Sequence, residues 1–530
     1  MTGDLRGTKE LVRLSLRRDR WLLPVSVLGF AAMAASSASA TAALYPDPVA
    51  RVRAATTVNA TAAIVALYGR IYDPASLGGI ALFKLTAVGA ALVAILMVVL
   101  VVRHTRAEEE AGRLELVGAG VVGRAAPLAA ALLTAGGASV ALGVCTAVGL
   151  VSAGLPATGA LAFGAGWAAT GMCFAAVAGV AAQVTTGARA ATGLGLIAVG
   201  AAYVLRAVGD LSEAGPGWAS WLSPIGWNQQ IRAFAGERWG ILALPLLAAA
   251  ALVPVAFALC QRRDLGAGLL GDRPGPAQGH LGTPLGLAWR LQRPALLAWT
   301  GALMVLGGVL GSLAHNVAGL LDSPGLAAII EQLGGKQGLT DAFLAAEMGL
   351  VGTIVAAYGI AAAGRLRAEE TAGHAEIMLS TAARRGRVSA AHWLVALAGV
   401  AWLLLVAGFA AGAGHALATG DLSQIGRITI AAAARVPSAW VLVGLVVLTW
   451  GMWPRATAAV WGAYIGFVVI GEFGQLWGIP QAIIDLSPFV HAPLLPGPDP
   501  HVAGLLWLTA LSAALIAAGT TAFRRRDLAP

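Results

Sequence analysis

Two copies of one charged string carry most of the chemistry in this chain. Arg106-Ala107-Glu108-Glu109-x-Ala111-Gly112-x-x-Glu115 returns 261 residues later as Arg367-Ala368-Glu369-Glu370-x-Ala372-Gly373-x-x-Glu376. Carboxylates at the start of a short helix complement the positive end of its dipole. The chemistry they offer is docking rather than bond making. Acidic groups are presented to a cationic protein surface, with apolar Leu114, Leu116 and Val117 behind them. The bland alternative is a solvated loop that only sets topology. Topology alone selects Lys and Arg. It gives no reason to keep Glu-Glu-x-x-Gly-x-x-Glu twice, so docking is the preferred reading. The copies differ at Glu110/Thr371 and Arg113/His374, which leaves room for unequal docking.

Four more ionisable residues lie inside long apolar runs: Lys84, Arg206, Glu347 and Glu472. Charge at membrane depth is costly, which makes such residues functional candidates by default. Arg206 and Glu472 stand 266 positions apart, and Lys84 and Glu347 correspond to within two residues of the repeat. As path or gate residues, the basic pair of the first half would face the acidic pair of the second. The alternative is snorkelling, since all four fall near expected outer helix ends.

Other chemistries are not encoded. Cys145, Cys173 and Cys260 all sit in apolar runs, where Cys acts as a small hydrophobe, so no disulfide or metal site is expected. The eight His show no ligand spacing. A phosphate-binding loop needs G-x-x-x-x-G-K-S/T. The chain has three Lys, and Gly334-Gly335-Lys336-Gln337, in an expected outer loop, lacks both the first Gly and the hydroxyl residue. No polar stretch is long enough for an ATPase domain, so the chain itself is expected to hold no cofactor. Gly164-Ala165-Gly166 and Gly193-x-Gly195 read as helix-packing glycines. The net charge of +9 might suggest nucleic acid, but the charges lie in short clusters between apolar runs, so no nucleic-acid partner is expected.

The elements that must position these residues are membrane helices. Of 530 residues, 58% are hydrophobic and 12% charged, with a mean hydropathy of +0.77. A soluble domain cannot hide so much apolar surface. The apolar runs are continuous, unlike the alternation of a membrane β-barrel. Twelve spans are predicted, at 21–44, 77–102, 125–151, 157–184, 190–210, 240–260, 294–317, 341–363, 388–417, 435–453, 456–475 and 502–523. With the N-terminus in the cytosol, 25 of the 35 Lys and Arg fall on the cytosolic side. That orients both termini inward. Ser39-Ala40-Thr41 resembles a cleavage site, but the charged lead and the multi-span body favour an uncleaved first helix.

Three further matches follow the charged string in the same order. Arg189-Ala190 pairs with Arg455-Ala456, Leu222-Ser223-Pro224 with Leu486-Ser487-Pro488, and Arg262-Arg263-Asp264-Leu265 with Arg525-Arg526-Asp527-Leu528. Four collinear matches within five residues of one offset indicate a tandem repeat. The expected fold is therefore all-α and polytopic, with two parallel six-helix units at 1–260 and 294–530. A Gly- and Pro-rich cytosolic linker, 261–293, joins them. Parallel repeats are related by a two-fold axis along the membrane normal, with a path between the halves.

On these features the chain resembles permease subunits of ABC exporters of the second type, in particular the fused actinobacterial antibiotic-exporter permeases related to tetronasin and other polyketide exporters. The excess of Arg over Lys with abundant Ala and Gly suits a GC-rich genome. In that superfamily an amphipathic helix precedes the first span, here 5–20. A coupling helix after the second span docks on an ATPase, here Arg106, Glu108, Glu109, Gly112, Arg113 and Glu115, and again Arg367, Glu369, Glu370, Gly373, His374 and Glu376. A hairpin between the fifth and sixth spans dips into the outer leaflet, here 210–239 with Trp218, Trp221, Ser223, Pro224 and Trp227, and 476–501 with Ser487 and Pro488. The resemblance implies two copies of a separate cytosolic ABC ATPase holding ATP and Mg, and a multi-pass chain in a bacterial plasma membrane. It also implies export of amphiphilic, drug-like compounds past a wall of Ala, Leu, Val and Gly. An ion-coupled secondary transporter and a membrane-embedded transferase remain as alternatives. The first needs midplane carboxylates, and the second a polar cluster at one membrane face.

Overall fold

The structure is a computed structural model, and it describes residues 4–60, 62–210, 216–264, 266–269, 282–317, 335–371, 373–381, 383–473, 479–497 and 502–526. Every regular element among them is helical. The chain divides into two compact units, Met1–Pro274 and Gly275–Pro530. Each unit is described by itself. In each, the face that carries the charged string is called the near face, and the opposite end the far face.

In the first unit the spans are Leu22–Leu44, Leu77–His104, Ala126–Ser152, Ala157–Val184, Ala188–Asp210 and Ala243–Arg262. An amphipathic lead helix, Thr8–Arg18, precedes them at the near face. These helices approach closely because facing residues are small. Gly143 of the third span and Gly164 of the fourth each leave room for the other's backbone, and a Cβ on either would collide. Trp167 fills the centre. It is fully buried over Gly89 of the second span, with the Phe30 ring edge-on at 5.8 Å. The stretch between the first two spans, which lies outside every predicted span, is helical over Pro48–Ala60 and Ala62–Tyr68.

The second unit has Pro284–Val317, Gly335–Ala363, Arg385–Thr419, Val436–Met452 preceded by Ser423–Ala433, Ala459–Phe473 and Val502–Arg525. Tyr358 packs over Gly399, with Trp299 edge-on at 5.9 Å. Eleven helices among the described residues are long and apolar enough to cross a membrane, in keeping with an all-α polytopic fold. The eleventh expected span, 456–475, is helical over Ala459–Phe473, and 474–478 lie outside the described residues. The end of the expected linker is helix. Thr283 accepts the Gly286 N–H at 3.2 Å and caps Pro284–Val317, with Pro284 in the first turn where its missing N–H costs nothing. The rest of the linker falls largely outside the described residues. So does Gly334, while Gly335, Lys336 and Gln337 open a helix.

Candidate functional site

The charged string folds the same way in both units. The second span ends at His104, the chain breaks at Thr105, and a short helix, Arg106–Glu110, follows. Gly112 then takes a left-handed φ of 70° and starts a second short helix, Arg113–Gly118. In the other unit Arg365–Thr371 leads to Gly373 at φ 75° and His374–Leu379. Only Gly adopts that conformation without strain. Across each bend one carboxylate closes the corner. Glu108 takes Arg113 Nε at 2.7 Å and Nη2 at 2.9 Å. Glu369 takes His374 Nδ1 at 2.9 Å. Arg113 and His374, which differ in sequence, therefore do the same job. The hydrogen bond to Glu108 raises the Arg113 guanidinium above its ordinary value. Glu108 also receives Arg18 from the lead helix, and Arg365 Nε reaches Glu369 at 3.0 Å.

The second carboxylate of each copy turns inward. Glu109 is 8% exposed and Glu370 6%. Arg263, just past the sixth span, grips Glu109 in a two-pronged contact, Nη1–Oε1 at 2.6 Å and Nη2–Oε2 at 2.9 Å. Gly266 N–H donates to the same carboxylate at 2.6 Å, and Arg106 Nη1 stands 3.2 Å away. Glu370 is held by Arg526 Nη2, 2.9 Å from each oxygen, by Trp450 Nε1 at 2.7 Å, and by Arg367 Nη1 at 3.3 Å. Expected to meet a partner, Glu109 and Glu370 are spent inside their own units. Burial forces this, because an unpaired carboxylate there would be very costly.

What faces outward is a different pair of residues. Glu115 and Leu116 are exposed, Leu116 at 80%, and so are Glu376 and Ile377, Ile377 at 69%. They occupy the same positions of the repeat, 261 apart. Each unit thus ends in an acidic, apolar tip on a braced bend.

The far-face residues also repeat. Trp218–Trp221 and Pro224–Gln230 form a helical hairpin. Trp218 is exposed, Trp221 less so, and Trp227 donates its Nε1 to Trp221 O at 2.5 Å. Buried Ser223 accepts the Gly226 N–H at 3.0 Å, ahead of Pro224, and donates to Ala202 O of the fifth span at 2.6 Å. Ser487, also buried and followed by buried Pro488, donates to Phe467 O at 2.9 Å. Asp210–Trp239 and 476–501 are only partly within the described residues.

Arg206 is fully buried in its own unit. Its Nη1 lies 3.4 Å from Asp210, its Nη2 donates to Leu67 O at 3.0 Å, and the Tyr203 ring lies 4.5 Å away. Within its own unit its acceptors are carbonyls of the unforeseen helical stretch Ala62–Tyr68 together with Asp210. Lys84 is exposed, 5.8 Å from the Tyr68 and Phe83 ring centroids. Glu347 is 9% exposed, and its Oε2 has no hydrogen-bond partner among the described residues. Glu472 lies on the last turn of Ala459–Phe473, and its side chain is outside the described residues. Among the described residues no group of His, Cys, Asp and Glu could hold a metal ion.

Sequence reasoning missed Arg263, Arg526 and Trp450 as site residues. The signal was there, since the Arg-Arg-Asp-Leu match pointed to the first two. Comparison with known proteins agrees with the architecture. A family model described as the C-terminal domain of the multidrug efflux system permease Rv1217c matches residues 281–524. The multidrug efflux system permease protein Rv1217c of Mycobacterium tuberculosis (strain ATCC 25618 / H37Rv) is 42% identical over 527 residues, which cover 98% of this chain and 95% of that protein. A near-full-length match at that identity, on an all-helical chain with repeated near-face elements, means that the chain belongs to the family of the multidrug efflux system permease Rv1217c.

Proposed function

We propose that this chain is the membrane subunit of an ATP-driven ABC exporter that moves amphiphilic, drug-like compounds out of a bacterial cell. The observation that carries the reading is the repeated near-face tip, Glu115–Leu116 and Glu376–Ile377, exposed in both units and braced from behind. An exposed Leu or Ile on a rigid bend, beside a carboxylate, suits insertion into an apolar cleft with a cationic rim. The near face is cytosolic in this reading, with both termini. Two copies of a separate ATPase, holding ATP and Mg, bind one at each tip. Closing of the ATPases on ATP moves the two bends and shifts each unit between states. A contact that bound both ATPase states equally would transmit nothing. The far-face hairpins, rich in Trp, lie in the outer leaflet. The relative's name supports multidrug efflux as the process, and the wall of Ala, Leu, Val and Gly supports apolar cargo, polyketides among it.

Leu116→Asp together with Ile377→Asp should leave the chain inserted and folded, since both side chains are exposed. It should abolish co-purification of the ATPase. Unchanged recovery of the ATPase with the double variant would overturn the reading. One observation favours an ion-coupled transporter instead, namely the buried Oε2 of Glu347, which has no hydrogen-bond partner among the described residues. Uptake driven by a pH gradient in vesicles holding this chain alone, without nucleotide, would decide for it.

A further inference from the structure

The carboxylates Glu109 and Glu370 are each the centre of a four-part node, and the node repeats more faithfully than the sequence around it. The first part is the carboxylate on the short helix after the second span. Next comes the arginine just past the last span, Arg263 or Arg526. The third is a residue at or next to the near end of the fourth span. Gln183 Oε1 accepts Arg263 Nε at 2.6 Å in one unit, and Trp450 donates to Glu370 at 2.7 Å in the other. The fourth is an arginine at the start of the third span. Arg124 donates to Arg263 O, and Arg385 Nη1 donates to Arg526 O at 2.7 Å. Arg124 and Arg385 are 261 apart, Arg263 and Arg526 are 263 apart, and Gln183 and Trp450 are 267 apart. Two different residue types fill the third place, and they bond different members of the pair, Gln183 the arginine and Trp450 the carboxylate.

By chain alone the bend is loosely tied. It is separated from the second span by the break at Thr105, and it has its own hinge-like glycine at 112. The last span of the unit has no covalent link to it for some 150 residues. The node supplies that link. In the first unit the carboxylate receives two prongs of Arg263 and a backbone N–H, with Arg106 behind. Arg106 in turn donates to Ala182 O at 2.6 Å and Ala267 O at 2.8 Å. In the second unit the Arg526 guanidinium also lies 5.4 Å from the Trp450 and Phe523 rings, which stack at 4.0 Å. Charge-assisted, multiply bonded contacts of this kind leave little slack.

We propose that Arg263 and Arg526 are positioning residues that lock the sixth and last spans to the coupling bends, so that movement of a bend is delivered to the far end of its own repeat unit as well as to the spans beside it. This rests on the reading of the bends as contacts for an ATPase. The node carboxylates do not meet the partner. They decide whether force applied at Leu116 or Ile377 reaches the last span.

The test is ATP turnover by the purified complex of the full chain and its ATPase, in lipid vesicles, with and without a transported drug. Glu109→Gln with Glu370→Gln keeps the shape and removes the charge. Complex assembly and basal turnover should persist, while the drug-stimulated part falls at least tenfold. The swap Glu109→Arg with Arg263→Glu, and the matching Glu370→Arg with Arg526→Glu, should restore much of it. Should the Gln variants fold poorly, Trp450→Phe keeps the aromatic stack and removes only the bond to Glu370. It should lower the ratio of stimulated to basal turnover several-fold. A purely structural role would lower the yield of folded complex and leave that ratio unchanged, and an unchanged ratio overturns the inference. If the wild-type preparation recovers no ATPase at all, the underlying reading fails and this inference goes with it.

Discussion

The faces of the two units and their interiors have kept the repeat to different degrees. At the near face the bend, the corner carboxylate and the buried carboxylate–arginine pair recur, with His374 in place of Arg113 at the corner, and with Trp450 bonding the carboxylate where Gln183 bonds the arginine. At the far face, Ser223 and Ser487 reach carbonyls at matching points of the fifth and eleventh spans. Between the faces the likeness lapses. The first unit buries Arg206 with Asp210, whereas the second buries Glu347 without a hydrogen bond to its Oε2 and Arg435 with its Nη2 on Ala345 O at 3.2 Å. Shared faces imply shared surroundings for both units, while separate interiors imply that the two units need not present the same groups to whatever crosses.

The sharpest way to break that comparison is at the interior charges. Arg206→Leu leaves Asp210 buried without its cation, and losing one partner of a buried pair costs about 3–5 kcal/mol. The unfolding free energy in mixed micelles should fall by that amount, and adding Asp210→Leu should recover most of the loss. Glu347→Gln has no ion pair to lose among the described residues and should be neutral or stabilising. Equal losses for Arg206→Leu and Glu347→Gln would mean that the two interiors are alike after all.

Much of this was legible in the chain. The spans were readable because each is a continuous apolar run. At each charged string one short helix opened by carboxylates was expected, whereas two short helices meet there at Gly112 or Gly373. What escaped was direction. A Glu-Glu pair says that two carboxylates are adjacent, but on a short helix adjacent side chains diverge by about 100°. One closes the corner and the other enters the node, and nothing local distinguishes Glu108 from Glu109. The cation that claims Glu109 lies 154 positions away. The cover over Arg206 was missed for a related reason. Arg51, Arg53 and Asn59 keep the stretch at 48–68 from reading as an apolar run, and the partners it supplies to Arg206 are backbone carbonyls, which leave no mark in a sequence.

A smaller effect separates the two far-face serines. Ser223 both donates to Ala202 O and caps Pro224–Gln230 by accepting from Gly226 N–H. Ser487 makes the first kind of bond, to Phe467 O. A buried hydrogen bond contributes about 1 kcal/mol and a helix cap about another 1 kcal/mol. Ser223→Ala should therefore cost about 2 kcal/mol and Ser487→Ala about 1 kcal/mol in the same unfolding assay. A larger loss at Ser487 would mean that the second unit leans on its hairpin more than its hydrogen bonds suggest.

The smallest expected difference is the most direct measure of how alike the near faces are. Gly112 and Gly373 have φ of 70° and 75°, and a Cβ added at either meets no atom within 4 Å. Substitution by Ala is therefore opposed by backbone strain alone, about 1–2 kcal/mol for an L residue in the left-handed region. Space and neighbours contribute nothing to tell the sites apart. Gly112→Ala and Gly373→Ala should cost the same to within a few tenths of a kcal/mol, although Glu108 has Arg113 and Arg18 across its bend and Glu369 has His374 and Arg365. A difference of 1 kcal/mol or more would show that one brace is stiffer, because the softer bend relaxes away from the strain. The less costly site would then identify the unit with the softer bend.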